Sequence, residues 1–400
     1  KSVLHDRLEK YGACFGEMSG WERANWFAQK GQKPHYEYSY SRQNWFDCSA
    51  SEHTAVREKV ALFDMSSFAK FLVQGSDSKK ILNRICANNI DVTPGKVIYT
   101  TWLNERGGIE SDLTVTRLTE DVFLIVTAGA SQTRDLTWLK NNISEKAHVS
   151  VTDVTSGYTV LSVMGPESRN LLAKLTTADL SNESFPFGSG KEIEIGFSKA
   201  LALRVTYVGE LGWEIYVETE FAQDIFDKII EIGKDYGLKL AGMHALNSLR
   251  LEKAFRHWGH DITDEDTPLE GGLEFAVKFE KPGGFIGREA LLAQKEELLK
   301  TKKGAMKKRL VQFALEDPDP MLYHNEPIWC DGKIVGDLTS GMYGHTLGTS
   351  IGMGYVINEE GVTKELVNSS KFEIEIAGKK YSAKASLKAF YDSKSERVRI

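Results

Sequence analysis

The sequence has few cysteines and none of the spacings that build a disulfide framework or a zinc site. Its four cysteines lie far apart, and no two of them form a CxxC pair; they are Cys14, Cys48, Cys86 and Cys330. Scattered cysteines of this kind are typical of reduced thiols in a reducing compartment. We therefore expect four free thiols and neither a disulfide nor a structural zinc ion.

Long apolar runs and an excess of positive charge are also missing. No run approaches the roughly 18 apolar residues of a membrane-spanning helix, and Lys1–Arg7 contains no apolar signal core. The net charge of −6 gives the chain little affinity for nucleic acids or anionic membranes. We expect a cytoplasmic protein, or a matrix protein if its source is mitochondrial, with no nucleic-acid or membrane partner.

Several nucleotide-binding and catalytic fingerprints are absent from the sequence. It contains no GxGxxG, no P-loop, no GxSxG and no HExxH. We therefore expect no FAD or NAD site in this chain and no zinc-protease chemistry.

What the chain does contain indicates a protein of more than one core, because 400 residues exceed the usual size of a single domain. Residues 1–50 are rich in aromatic side chains without helical or strand periodicity, which predicts an extended arm lying on a core or a partner. Residues 51–295 mix strand and helix patterns irregularly, which is typical of an α+β body; its division into two lobes is implied only by the family resemblance described below. Residues 305–400 are β-rich with glycine turns, which predicts a C-terminal all-β barrel.

A predicted hairpin over residues 97–116 carries an unusually polar strand. Alternation places Glu110, Asp112, Thr114 and Thr116 on one face of that strand. Closure at the glycine-containing turn is expected to bring Tyr99 roughly opposite Asp112. The pattern fits either a solvent-facing strand or the wall of a polar pocket.

A second predicted hairpin, over residues 202–217, is expected to set Tyr207 nearly opposite Glu214. A carboxylate beside an aromatic ring suits a flat heterocycle with adjacent N–H donors. An edge hairpin with a solvated glutamate explains the spacing equally well.

A strong helix is predicted over residues 244–258, with Leu251, Phe255 and Trp258 as its core stripe. Arg250 lies off that stripe, where it could bind an anion or pair with a nearby acid. His257 and His260 have metal-like spacing, but no third ligand is evident, so we interpret them as an ordinary helix end and expect no metal.

Several of these segments resemble the aminomethyltransferase (glycine cleavage T-protein) family, and more narrowly the folate-binding C-terminal half of sarcosine and dimethylglycine dehydrogenases. The resemblance extends over essentially the whole chain and depends on long, separated motifs. The motifs are Gly20–Arg23, Phe63–Phe71, Tyr99–Val115, Ala178–Phe187, Tyr207–Glu214, Leu249–Arg256, Pro268–Leu273 and Phe285–Leu291.

The resemblance implies a three-lobed fold around a central hole that holds tetrahydrofolate. Asp112 matches the family's essential aspartate beside the folate nitrogens, which makes it the expected acid/base residue. The other matched positions are pocket residues; they are Phe68, Tyr99, Tyr207, Glu214 and Arg250, and Thr114 and Thr116 match contact positions less securely.

The implied activity is transfer of a one-carbon unit to tetrahydrofolate. The donor would be an N-methylated amine such as sarcosine or dimethylglycine, oxidised to an iminium by a flavin-dependent domain or subunit, and the product 5,10-methylenetetrahydrofolate. Methyl transfer from a sulfonium and a non-catalytic folate-binding or regulatory module remain as alternatives. An RNA-modification factor of the same superfamily would need a Lys-Gly-Cys-Tyr-type motif, which is absent.

Two features stand apart from the family pattern. The chain has Ser66-Ser-Phe-Ala where many T-proteins have Ser-His-Met-Gly, which argues against a lipoyl carrier protein as partner. The lysine-rich stretch from Lys295 to Arg309 fits a solvated linker, although its cations could also attract the glutamate tail of folate.

Overall fold

A computed structural model describes residues 1–300 and 304–400 of the chain. The helices in these residues are α1 (His5–Lys10), α2 (Phe46–Glu58), α3 (Ser78–Ile85), α4 (Gln132–Asn141), α5 (Ser168–Leu172), α6 (Ala222–Gly233), α7 (Met243–Glu252), α8 (Arg288–Lys300) and α9 (Lys364–Ser369). The strands before the barrel are β1 (Ala13–Met18), β2 (Trp21–Phe27), β3 (Ala61–Asp64), β4 (Ala69–Gln74), β5 (Val97–Leu103), β6 (Ile109–Arg117), β7 (Val122–Thr127), β8 (Ser150–Asp153), β9 (Tyr158–Met164), β10 (Ser189–Ile195), β11 (Ser198–Arg204), β12 (Gly212–Glu218) and β13 (Lys239–Leu240). The barrel strands are β14 (Lys308–Leu315), β15 (Pro327–Cys330), β16 (Lys333–Gly344), β17 (Thr349–Ile357), β18 (Phe372–Ile376) and β19 (Lys379–Ser386).

Two sheets form the body of the protein. One has six strands in the order β10-β11-β12-β9-β3-β13, and the other has five in the order β5-β6-β7-β4-β8. Neighbouring strands run antiparallel, apart from the short parallel pair of β13 with β3. These sheets and the closed six-stranded barrel make three lobes, which confirms the predicted α+β fold with a C-terminal β-barrel.

The two body sheets face each other across a shared apolar core. This core takes side chains from both sheets, including Phe63, Val160, Leu203 and Tyr216 from the six-stranded sheet and Val97, Leu124 and Val126 from the five-stranded one. Alternation along each strand therefore turns every second side chain toward the opposite sheet. Polar side chains at these inward positions meet between the sheets, and they are the starting point for the site.

The barrel closes because β14 pairs with β17 on one side and with β19 on the other. Its interior is filled by apolar side chains such as Phe313, Ile328 and Phe372. All six barrel strands lie in the stretch predicted to be β-rich, and β16 is the longest of them, with 12 residues.

The predicted linker is only partly a linker. Helix α8 continues to Lys300, so the lysines at its C-terminal end belong to a helix, and Thr301–Lys303 lie outside the described residues. Lys295 and Lys308 pair with Glu274 and Asp266 at 2.8 and 2.6 Å. These two cations are therefore occupied by acids of the protein itself.

The N-terminal segment differs from the predicted extended arm. It forms α1 and the β1–β2 hairpin, and residues 28–45 are the longest stretch without a helix or strand before α2 begins. A register shift between Cys14 and Phe15 interrupts the alternation of the hairpin, which explains why the sequence shows no strand periodicity there. Leu4, Leu8 and Ala24 belong to the apolar core that packs on the six-stranded sheet, so the segment lies on a core of the body.

The four cysteines predicted to be unpaired are free thiols, and all four are buried. Among the described residues, no helix combines the length and the apolar composition that crossing a bilayer needs.

Candidate active site

The β5–β6 hairpin has a register that the sequence did not predict. A shift between Trp102 and Leu103 pairs Tyr99 with Thr114 and sets Asp112 opposite Thr101. Tyr99 and Asp112 are thus diagonal neighbours on one face rather than direct partners, and diagonal pairs remain within reach of an aromatic side chain. The Tyr99 hydroxyl donates a hydrogen bond of 3.0 Å to the Asp112 carboxylate.

The turn of this hairpin requires glycine at Gly108, because a Cβ there would lie 1.8 Å from the carbonyl oxygen of Asp264. Gly108→Ala must therefore move backbone, and we expect it to lower the free energy of unfolding by about 2 kcal/mol. Gly157→Ala is the matched control, because nothing lies within 4 Å of its added methyl group. Urea denaturation of both variants checks the prediction, and equal stabilities would contradict it.

Asp112 occupies the inner face of β6, half-buried between fully buried neighbours. Burial raises the pKa of its carboxyl to about 6, even though the hydrogen bond from Tyr99 acts in the opposite direction. The charge of Asp135, on α4, contributes to the increase. Burial and the carboxylate together raise the pKa of Tyr99 well above its usual value, so its phenol stays a donor. Asp112 is thus mostly ionised at neutral pH, and it can take up a proton when the pH falls slightly below neutral.

Glu214 lies on the inner face of the opposite sheet, between Leu203 of β11 and Ser162 of β9. Its Oε2 accepts a hydrogen bond of 2.8 Å from Tyr216, and no donor among the described residues bonds to its Oε1. Burial raises the pKa of Glu214 to about 7. A carboxylate with one oxygen held and one available fits a ligand that presents adjacent N–H groups, as the ring of a pterin does.

Tyr207 does not lie opposite Glu214, and this prediction was wrong. Strand β11 ends at Arg204, so Tyr207 belongs to the connecting loop and Leu203 takes the position facing Glu214. The Tyr207 hydroxyl donates to the carbonyl of Arg256 at 2.7 Å. Its ring lies within electrostatic range of Asp112, whose charge contributes to the raised pKa of Tyr207 after the larger effect of burial.

The helix carrying Arg250 is shorter than predicted, because α7 ends at Glu252 and Ala254 adopts a left-handed φ of 52°. The expected stripe through Phe255 and Trp258 therefore does not lie on one helix. Arg250 is 2% exposed and forms an ion pair of 2.6 Å with Asp261. Of the two interpretations of this arginine, the structure shows the pairing with an acid.

Arg250 also binds the Phe255 carbonyl and the Ser340 hydroxyl of the barrel, at 3.0 and 2.9 Å. His257 and His260 follow the helix rather than end it, and their rings are 4.6 Å apart. Within residues 1–300 and 304–400, no group of three His, Cys, Asp or Glu side chains could hold a metal ion.

The remaining predicted positions divide by burial. Phe68 is partly buried and packs against the core between the sheets. Thr114 is half-buried on the same face as Asp112, whereas Thr116 is fully buried with no partner for its hydroxyl. The predicted residues thus form two groups, one around Asp112 with Tyr99 and Tyr207 and one around Glu214.

Three residues at the site were missed by the sequence analysis. Tyr216 lies two residues after Glu214 on the same face of β12, and this spacing could have identified it from the sequence. Lys70 was the lone charge in an apolar strand, which is a second usable signal. Phe275 stacks on Tyr99 with ring centroids 6.0 Å apart while 65% exposed, and no pattern in the sequence brings these two together.

Two facing sheets with carboxylates between them and a C-terminal barrel define the class of aminomethyltransferase-like proteins. Two family models agree with this class. The GCVT N-terminal domain matches residues 4–281, and the glycine cleavage T-protein C-terminal barrel domain matches residues 308–392. The chain belongs to the glycine cleavage T-protein, or aminomethyltransferase, family of folate-binding enzymes.

Individual relatives support the same family. The chain is 46% identical over 399 residues to a 4-methylaminobutanoate oxidase (formaldehyde-forming) of Paenarthrobacter nicotinovorans, covering 100% of this chain and 47% of the relative. It is 37% identical to human mitochondrial dimethylglycine dehydrogenase, covering 96% of this chain and 43% of the relative. The chain thus spans about half the length of these relatives.

A solved structure matches the whole fold. The crystal structure of the glycine cleavage system aminomethyltransferase T from Bartonella henselae superposes with a TM-score of 0.81 at 25% identity. The match covers 98% of both chains, so the body and the barrel are shared together.

Proposed function

We propose that this chain binds tetrahydrofolate between its two body sheets and catalyses transfer of a one-carbon unit to it, forming 5,10-methylenetetrahydrofolate. One observation carries the proposal: Asp112 is half-buried on an inner sheet face with a pKa near 6 and a hydrogen bond from Tyr99. A carboxylate in that state suits proton transfer near neutral pH.

The pterin end of the ligand would be held by Glu214, with Phe68 as an apolar neighbour. The Oε1 atom of Glu214 accepts from the ring N–H groups, while Tyr216 fixes Oε2 and so limits the rotation of the carboxylate. Binding by a carboxylate selects ligands with two adjacent donors over ligands with acceptors at the same edge. Arg250 supports this region indirectly, because its own hydrogen bonds go to Asp261 and the barrel.

The reacting end would lie beside Asp112, with Tyr99 and Tyr207 as neighbours. When bound, tetrahydrofolate supplies the nitrogen nucleophiles that accept the carbon. The two folate nitrogens lose two protons as the carbon is bound; Asp112 would pass one of them to the amine that leaves and take up the other, and its charge would stabilise the cationic donor electrostatically. Tyr99 holds the carboxylate in place by its hydrogen bond of 3.0 Å.

The donor would be the iminium of an N-methylated amine, made by a flavin-dependent domain or subunit. The names of the relatives support this choice, since one is a 4-methylaminobutanoate oxidase and another a dimethylglycine dehydrogenase. A methylamino acid is therefore the first donor class to test, and sarcosine and dimethylglycine belong to it.

Reduced-folate binding followed by a transfer assay tests the proposal. We expect calorimetry to show one site for tetrahydrofolate, and methylenetetrahydrofolate to form when a flavoprotein oxidises a methylamino acid in the presence of the chain. Because Asp112 must be ionised and the pKa of its carboxyl is about 6, the rate should fall below that pH, by about tenfold per pH unit. Failure to bind folate would overturn the proposal.

The assay also distinguishes the alternative functions. Folate binding without transfer from any methylamine would support a regulatory module. Transfer of a methyl group from a sulfonium in the absence of the flavoprotein would support the demethylase alternative.

A further inference from the structure

Lys70 is a buried cation between the two sheets of the body. It lies on β4, where it pairs with Val126, which in turn pairs with Thr114 and so with Tyr99. These four residues form one row across the five-stranded sheet. Lys70 is 0% exposed and its side chain alternates with Ala69 and Phe71, which pack on the other face of the sheet. It therefore points toward the six-stranded sheet that carries Glu214.

The ammonium group of Lys70 is held by backbone rather than by an acid. Its Nζ donates to the carbonyls of Ser66 and Tyr158 at 2.9 and 2.8 Å. Three carboxylates interact with it electrostatically without closing to an ion pair; they are Asp64 of β3, Asp153 of β8 and Glu214 of β12. Burying an ammonium group is costly, so an interaction with a nearby charge is expected to offset part of that cost.

A positive group of the facing sheet lies within electrostatic range of Glu214. On its own strand it faces the Tyr216 hydroxyl, and from β9 it is flanked by Ser162. Lys70 is the cation whose charge lowers the pKa of the Glu214 carboxyl, against the larger opposing effect of burial. Glu214 in turn contributes least of the three carboxylates that raise the pKa of Lys70, after Asp64 and Asp153.

We propose that Lys70 is a positioning residue of the pterin end of the site, whose ammonium group, fixed between the sheets by the Ser66 and Tyr158 carbonyls, favours the anionic form of the Glu214 carboxyl group. Ring N–H donors bind a carboxylate more strongly than a neutral carboxyl group, which must itself present a donor. Lys70 has no exposed surface and acts through Glu214 without touching the ligand. The inference rests on the proposed folate site.

Removal of the Lys70 charge should shift the pH dependence of ligand binding. With a pKa of about 7, roughly half of the Glu214 side chains are protonated at pH 7 before binding. In Lys70→Met we expect that pKa to rise by roughly one unit, since a nearby opposite charge is lost. The dissociation constant for 5-formyltetrahydrofolate, an air-stable reduced folate, should then increase about fivefold at pH 7 and stay within about twofold at pH 9.

Lys281 offers a matched control for the loss of a buried lysine. Its ammonium group is also held by backbone carbonyls, those of Asn83, Cys86 and Asn88, and burial lowers its pKa to about 8, as it does for Lys70. Glu214 does not contribute to the shift of Lys281. Lys281→Met should therefore reproduce the loss of stability without the change in pH dependence.

The experiment combines calorimetric titration of 5-formyltetrahydrofolate from pH 6 to 9 with a carboxyl ¹³C NMR titration of labelled glutamate. The NMR signal of Glu214 is assigned from its loss in Glu214→Gln. We expect the pKa of Glu214 to rise in Lys70→Met and not in Lys281→Met. When Lys70→Met is added to Glu214→Gln, the pH dependence of folate binding should stay unchanged. An unchanged Glu214 titration in Lys70→Met, or the same shift in Lys281→Met, would overturn the role of Lys70.

The two readouts separate this inference from the proposed function. Absence of folate binding in the wild type would refute the proposed function and, with it, a role of Lys70 in ligand binding. Normal folate binding with an unmoved Glu214 titration would refute only the role of Lys70.

Discussion

Asp112→Asn is expected to lower the rate of one-carbon transfer by about a thousandfold, because general acid–base catalysis contributes ~10²–10⁴-fold in enzymes. The amide keeps the size of the carboxyl group and can still accept the hydrogen bond that Tyr99 donates at 3.0 Å. It can neither take up a proton near pH 6 nor stabilise a cation by charge. Folate affinity should stay within roughly tenfold, because the lost interaction acts mainly in the transition state. Rapid-mixing assays of transfer and calorimetry of binding measure the two effects separately.

Glu110→Gln is the matched control on the same strand face. Glu110 is paired with Arg134 at 2.6 Å and has no hydrogen bond to Tyr99, so its neutralisation should leave the transfer rate within a few fold. Tyr99→Phe should be intermediate, since it removes the hydrogen bond that orients the carboxylate. Full activity of Asp112→Asn would mean that the acid/base role belongs to another group.

Arg57→Met is expected to cost about 3–5 kcal/mol of folding free energy, the usual effect of removing one partner from a buried ion pair. Arg57 lies on α2, where it pairs with Glu252 of α7 at 2.8 Å and with Glu210 at 3.1 Å. Both carboxylates have no exposed side-chain surface. Glu210 also binds Arg397 at 2.9 Å, so the network connects the body to the C-terminal residues. Urea denaturation followed by circular dichroism measures the loss.

The pH dependence of stability gives this prediction a second test. Burial by itself would raise the pKa of Glu252, but its interactions with His53 and its ion pair with Arg57 outweigh burial and lower the pKa to about 2. A carboxyl with a depressed pKa stabilises the fold above its unfolded pKa of about 4.3, and this contribution is lost as the pH falls toward 2. Arg57→Met should therefore reduce the loss of stability between pH 5 and pH 2.

Arg7→Ala is the control for this variant. Its ion pair with Asp227, at 2.7 Å, is largely exposed, and exposed pairs contribute about 0–1 kcal/mol. Comparable losses in Arg57→Met and Arg7→Ala would show that burial of the network adds nothing.

The strands were predicted well where alternation was continuous. The barrel followed from regular β-rich runs, of which Phe372–Ile376 is one. Prediction failed where the strand alternation or the helical spacing of apolar residues was interrupted. The β1–β2 hairpin was not predicted, because a register shift interrupts its alternation. Helix α7 ends six residues before the predicted end at Trp258, because Ala254 adopts a left-handed conformation.

The site was predicted in its composition more than in its arrangement. Asp112 and Glu214 were identified as inward-facing carboxylates on two hairpins, by alternation together with the family resemblance. The partner of Glu214 was wrong, because the position of Tyr207 depends on where β11 ends and not on the spacing of the hairpin. The stripe from which Arg250 was set apart does not lie on one helix, and the choice between an anion and an acid depended on Asp261, eleven residues away.

The sequence by itself determined the α+β class, the C-terminal barrel, the family and the presence of two carboxylates on strand faces. These features depend on local periodicity and motifs, which are written in consecutive residues. Only the tertiary structure decided which groups share an electrostatic environment: Asp112 with Tyr207, Glu214 with Lys70, and Arg57 with Glu252. The reason is physical, because burial and the distance between charges set these interactions, and both arise only when distant segments pack together.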